Sequence, residues 1–317
     1  MSTPESAMRI LFRILAAIVL VTGVTYFAGS AATAASADPS GPPGDPLTVQ
    51  VVGDGSHVSI DRARVPAGQV RFDVSSTNPT PGSGSQITLL RLQPGVSFKQ
   101  FNADLAHEFA HDSATAAKGT RELTRDARFF GLADVAPGTP ATVTENLSPG
   151  TYYLFDSGNN TSTGAPAKTR LTVVRDQHNG DGPDDAAAAA LADDNGRMAS
   201  VRLTSADTFV VRGQLPARGS VRVTNVSDTL HFMSMERVKP GTTDADVQAF
   251  FDSQTQGPPP FGVDGPSVGA DVQSPGRSLT LSYDLPPGTY VLLCFVADDK
   301  TGMPHAFMGM HKVVTLK

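Results

Sequence analysis

Four residues in the second half of this chain could act together on a metal ion. The only cysteine, Cys294, is followed by His305 and Met310 within GTYVLLCFVADDKTGMPHAFMGMHKVVTL (288–316), and His231 lies upstream in VRVTNVSDTLHFMSM (221–235). Thiolate, imidazole and thioether are soft donors. Two imidazoles and a thiolate in a trigonal plane, with a long axial thioether, are the arrangement that suits copper. Met308 offers a second thioether for the axial position. The plainer alternatives are an inert cysteine buried among Val291, Leu292, Leu293, Phe295 and Val296, and a hydrogen-bonded histidine at a strand end.

These side chains need strands to hold them. Alternating apolar residues before His231 read as a strand that ends near the histidine, and the apolar run before Cys294 reads as another. Asn225 precedes His231, Gly288-Thr289-Tyr290-x3-Cys294 leads into the cysteine, His305-x4-Met310 carries Gly309 before the methionine, and Lys312-Val313-Val314 closes the segment. In these residues the chain resembles the plastocyanin-type cupredoxins. The resemblance implies a Greek-key β-sandwich and one copper held by His231, Cys294, His305 and Met310. It also implies one-electron transfer or copper handling with a redox or copper-transfer partner protein, and a partly exposed His305 as the electron entry edge. Two features depart from the family: the segment Phe295 to Pro304 lengthens the ligand loop, and Leu230 and Phe232 flank His231 where plastocyanins carry Pro and Asn.

The rest of the 317-residue chain reads as a second copy of the same scaffold. Leu147-Ser148-Pro149-Gly150-Thr151-Tyr152 matches Leu285-Pro286-Pro287-Gly288-Thr289-Tyr290, and Arg91-Leu92-Gln93-Pro94-Gly95 matches Arg237-Val238-Lys239-Pro240-Gly241. Repetition of this kind predicts two copies of one fold. The expected class is all-β: two cupredoxin-like sandwiches, each with a short inserted helix, at 47–175 and 198–317, with linkers at 38–46 and 176–197. In the second copy Thr242 or Thr243 caps a helix whose Val247, Phe250 and Phe251 form an apolar stripe. The alignment sets Ser85 opposite His231, Asp156 opposite Cys294 and Ala167 opposite His305. The soft donors therefore belong to one copy and are not a requirement of the fold.

Composition narrows the function classes. A net charge of −6 and the lack of any Lys/Arg cluster argue against nucleic acid as a partner. Arg9 and Arg13, an apolar run from Ile14 to Ala28 and small residues ending Ala35-Ser36-Ala37 predict a signal peptide over 1–37, or else a membrane anchor at 9–30. Export would place the protein outside the cell or in its envelope, where a lone thiol must be buried or metal-bound. His107-Glu108-Phe109-Ala110-His111 matches the zinc-peptidase pattern H-E-x-x-H. Helical spacing, however, puts both histidines opposite the Phe98, Phe101, Leu105 and Phe109 face, toward solvent. The expectations are thus a copper-binding protein without catalysis, since the His-x-His pairs of multicopper oxidases are absent. The alternatives are a metal-free envelope module and, less favoured, a metallopeptidase.

Overall fold

The computed structural model describes residues 46–80, 83–157, 167–175, 198–253, 255 and 257–317. The expected leader, the first linker up to residue 45, the second linker and most of the loop before Ala167 lie outside the described residues. Among those described, no helix is long and apolar enough to cross a membrane.

Each half is a two-sheet sandwich. The first contains β1 (Leu47–Gly53), β2 (Val58–Ile60), β3 (Arg64–Pro66), β4 (Gly68–Ser76), β5 (Ser85–Leu92), α1 (Phe98–Glu108), α2 (Ser113–Asp126), β6 (Ala127–Val135), β7 (Ala141–Leu147), β8 (Gly150–Asp156) and β9 (Thr169–Val174). The second contains β10 (Ala199–Thr204), β11 (Thr208–Arg212), β12 (Arg218–Asn225), β13 (His231–Arg237), α3 (Asp244–Ser253), β14 (Val268–Gln273), β15 (Ser278–Asp284), β16 (Gly288–Leu293) and β17 (His311–Leu316). Apart from β3, which has no counterpart strand in the second half, the strands of the halves correspond. In both, the opening strand pairs antiparallel with the next and parallel with the one that follows the first crossover, β1 with β2 and β4, and β10 with β11 and β12. The buried alternation of Val49 and Val51 with Val70, Phe72 and Val74 fills the first sandwich, and Val201, Leu203, Val221 and Val223 do the same in the second.

The repeated turns have a common cause. Tyr152 and Tyr290 are both fully buried, and each hydroxyl donates to a backbone carbonyl four residues back, Ser148 and Pro286, at 2.9 Å in both cases. This tyrosine corner satisfies the phenol while its ring anchors the sheet. Gly95 and Gly241 hold the matching turns at φ of 86° and 87°, a region that side chains disfavour.

The sandwiches are fused. β6 pairs antiparallel with β14, setting Val135 against Val268 and Ala133 against Ala270, and β7 pairs with its own counterpart β15, setting Val143 against Leu281. Two continuous sheets result, with orders β11-β10-β12-β15-β7-β4-β1-β2 and β17-β16-β13-β14-β6-β5-β8-β9-β3. One buried ion pair bridges the halves on this seam. Arg277 donates to Glu145 and stacks over Phe130, its Cζ 4.1 Å from the ring centroid.

The inserted helices differ from expectation in number. The second half carries the predicted one, with Thr243 Oγ1 accepting from the Asp246 amide at 3.2 Å and Asp246 accepting from the Thr243 amide at 2.8 Å. Val247, Phe250 and Phe251 are buried as the stripe requires. The first half carries two helices. Ser97 caps α1 and Asp112 caps α2, each accepting from the amide three residues on.

Removing one partner of the Arg277–Glu145 pair leaves a buried charge uncompensated. Arg277→Leu should lower unfolding free energy by about 3–5 kcal/mol in urea denaturation, and adding Glu145→Leu should recover most of the loss.

Candidate metal centre

His231 opens β13; it does not end a strand as the alternation suggested. The chain leaves β12 at Asn225, turns, and re-enters the other sheet at the histidine. Asn225, fully buried, fixes that turn. Its Nδ2 donates to the Thr229 and Gln273 carbonyls, both at 2.8 Å, and its Oδ1 accepts from the Ser227 amide at 3.0 Å and hydroxyl at 2.6 Å. A bulge between His231 and Met233 then turns the imidazole inward. Cys294 follows directly on β16, and its Sγ accepts from the Phe232 amide at 3.5 Å.

The long segment after Cys294 is an excursion whose ends meet. The Ala306 amide donates to the Cys294 carbonyl at 2.7 Å and the His305 amide to the Val296 carbonyl at 3.0 Å. At its tip Asp298 Oδ1 accepts from the Lys300 amide at 3.2 Å and the Thr301 amide at 2.6 Å. The extra residues therefore project as a closed hairpin, and His305 returns beside Cys294 at the head of a short 3-10 turn, His305–Met308.

The donors converge. His231 Nδ1 and His305 Nδ1 are 3.1 Å apart, and Cys294 Sγ lies 3.7 Å from the first and 3.6 Å from the second. All three residues are fully buried. A first-row ion bonded at roughly 2.0–2.3 Å to nitrogen and sulfur holds three such atoms about 3–4 Å apart, so the trio fits one ion. Met310 is fully buried in the same apolar cluster as Cys294, and its amide donates to the His305 carbonyl at 2.9 Å. Met308 is 40% exposed and its Sδ accepts from Thr301 Oγ1 at 3.6 Å, which removes it as the axial alternative. The set is that of a type 1-like copper centre.

Burial sets the protonation states. It pushes the Cys294 thiol up to about 12, with Asp207 and Glu108 adding to the effect, so a metal must displace the proton. It also drives His231 down to about 3, reinforced by His305, and lowers His305 against the pull of Asp207 and Asp298. Both imidazoles are accordingly neutral, as ligands must be.

His305 is not the exposed edge that the family resemblance implies. Asp207, at φ 50° in the β10–β11 turn, covers both histidines, with Oδ1 3.7 Å from His305 Nε2 and 4.0 Å from His231 Nε2. Nothing in the sequence flagged this residue except its place in a Thr-Thr-flanked turn. His311, at the start of β17, has its Nε2 2.9 Å from Gln248 Oε1 on α3.

The first half clamps the ligand loop. Thr120 Oγ1 donates to the Ala297 carbonyl at 2.8 Å, Glu108 Oε1 accepts from the Ala297 amide at 3.3 Å, and Arg121 donates to the Asp299 carbonyl. Gly302, at φ 68°, packs so closely on α2 that a Cβ would come within 1.9 Å of the Ser113 carbonyl oxygen. The H-E-x-x-H motif is spent on this contact. α1 stops at Glu108 because Asp112 caps a new helix, leaving His111 exposed beyond the helix end. His107 binds Glu122 at 2.7 Å, and the i, i+4 zinc pair is not formed.

The positions aligned in the first half hold no soft donor. Ser85 and Asp156 open β5 and close β8, both fully buried, with Ser85 bonded to Ser76 Oγ at 2.9 Å and Asp156 accepting from the Gln86 amide at 3.2 Å.

No protein-family profile matches this sequence, and no curated protein does. Among solved structures the chain is similar to auracyanin B, at 21% identity over 37% of this chain and 86% of that one, with a TM-score of 0.23. Auracyanin from the photosynthetic bacterium Roseiflexus castenholzii gives 21% over 37% and 94%, with a TM-score of 0.24. Lac15 from a marine microbial metagenome gives 12% over 84% and 67%, with a TM-score of 0.24. At these scores the two-sheet assignment rests on the strand order and register described above.

A thiol this buried should resist disulfide reagents in the native metal-free protein and react fully once unfolded. Thr120→Val, which touches no donor, should raise the native labelling rate of Cys294 and cost about 1–2 kcal/mol of stability.

Proposed function

We propose that this protein is an exported, cupredoxin-like copper protein that performs one-electron transfer or copper handling. The observation that carries the reading is the trio of soft donors, His231, His305 and Cys294, brought within 3.1–3.7 Å of one another, with Met310 buried in the same apolar cluster as Cys294. When bound, copper supplies a one-electron couple. The chain supplies the rest. Asn225 and the closed hairpin hold the donors before the metal arrives, so little ordering is needed on binding. The Phe232 amide stabilises the thiolate. Apolar packing around Cys294 and Met310 excludes water, and the Asp207 carboxylate would offset the positive charge of an ion held by the neutral histidines.

Because both imidazoles are covered, electron exchange in this reading crosses a thin protein layer at the Asp207 turn. A redox or copper-transfer partner would dock there. The first half serves as the platform that keeps the loop in register. Among the described residues three side-chain groups could hold an ion, and of these only His231-Cys294-His305 contains a thiolate or more than one imidazole, which favours transfer over a multinuclear oxidase. The leader-like sequence of residues 1–37 supports export.

Copper(II) titration of the full chain should give one equivalent of tight binding and an intense visible thiolate-to-copper band. Cys294→Ser should abolish the band. Met310→Leu should keep it and shift the reduction potential, since the axial donor tunes that quantity. A chain that takes up no copper, or a band that survives Cys294→Ser, would refute the reading.

A further inference from the structure

A cavity of about 520 Å³ lies over the outer face of the nine-stranded sheet, between α1 and α2 of the first half and α3 of the second. Its size falls in the range of small-molecule sites. The walls are mainly apolar and largely aromatic: Leu105, Phe109 and Phe155 on one side, beside Glu108, whose carboxyl accepts from the Ala297 amide, and Phe250, Phe251 and Phe307 on the other. The floor is different. It is the sheet itself, and it presents Asp134 from β6 and Glu236 from β13. Both belong to adjoining repeats, with β14 between them.

Neither carboxyl has a partner among the described residues. No hydrogen-bond donor and no cationic side chain within ion-pair range serves Asp134 or Glu236. Arg237, the one cationic side chain lining the cavity among the described residues, lies with its guanidinium against Gly288 and pairs with neither. An isolated carboxylate in apolar surroundings is costly unless something neutralises it. Here burial raises both groups, Glu236 to about 7 and Asp134 well above the usual carboxylate range, with the carboxyls of Glu236, Asp271 and Asp156 adding to the effect. A fold that needed only to fill this space would have used an apolar or amide side chain. Aromatic faces around paired acids are instead the environment that suits an organic cation, through the ring quadrupoles and through carboxyls that give up their protons as the cation arrives.

We infer that this cavity is a binding site for a small organic ammonium ion with an apolar or aromatic body, its nitrogen over Asp134 and Glu236 and its body between the Phe109 and Phe251 walls. The inference stands independently of copper. It also places the ligand next to the metal centre, because Phe232 and Phe295, which follow His231 and Cys294 in sequence, line the same cavity.

Calorimetric titration of the full-length protein, with and without copper, tests this directly. The probes are phenethylammonium, its neutral analogue 2-phenylethanol and its anionic counterpart phenylacetate. Phenethylammonium should bind with one-to-one stoichiometry in both forms, the neutral analogue at least tenfold more weakly, and phenylacetate not measurably. Glu236→Gln and Asp134→Asn keep the volume and remove the ionisable carboxyl, so each should leave Tm unchanged or raised and weaken phenethylammonium at least tenfold. Phe251→Leu supplies a wall variant that leaves the acids intact, and it too should weaken binding. Equal affinity for the alcohol and the ammonium, undiminished binding in both charge variants, or no binding of phenethylammonium to wild-type protein would each overturn the proposal. Failure of copper uptake would not affect any of these readings.

Discussion

The hydrogen bonding of β6 to β14 and of β7 to β15 is the constraint on which the remaining architecture depends. In an isolated half-sandwich these strands would be sheet edges, with rows of unpaired amide and carbonyl groups. Each is capped by its own counterpart from the other repeat, so one antiparallel seam satisfies both edges. Register is set on the seam by residues such as Val135 facing Val268 and Val143 facing Leu281. The buried Arg277–Glu145 pair adds a polar contact that tolerates no slippage, because a shifted register would strand a charge in the core.

From this fusion follows a division of labour. The second half contributes every donor, while the first contributes two helices that press on the ligand loop through Thr120, Glu108 and Arg121. A loop as long as Phe295 to Pro304 would otherwise add freedom at the position where a metal site needs fixed geometry. Two devices remove that freedom: the hairpin closure between Cys294 and Ala306, and the support from α1 and α2. The same seam brings the helices of the two halves to opposite sides of one cavity, which neither half could enclose alone.

The scaffold was readable at the level of its repeats. The paired Pro-Gly-Thr-Tyr turns have identical roles because each tyrosine must both bury its ring and satisfy its hydroxyl. The capping Thr243 and the Val247-Phe250-Phe251 stripe obey local helical rules, so they too could be read from one short window. The second helix of the first half was missed because Ser113 to Asp126 carries small residues and charges on a face only three-dimensional packing makes buried. The H-E-x-x-H motif misled for a related reason: the cap at Asp112 breaks the helix that the motif presupposes, and Glu108 finds its partner in the other half.

By itself, the sequence singled out the candidate donors and determined the twofold repetition and the strand-forming segments, since these rest on residue type and local periodicity. Tertiary structure decided the geometry of the centre. Only folding distinguishes buried Met310 from exposed Met308, sets His231 at the start of a strand through the Asn225 turn, and draws Asp207 across both imidazoles. It alone places Asp134 and Glu236 on one floor. These outcomes depend on contacts between residues far apart in the chain, where no periodicity carries information about which groups will meet.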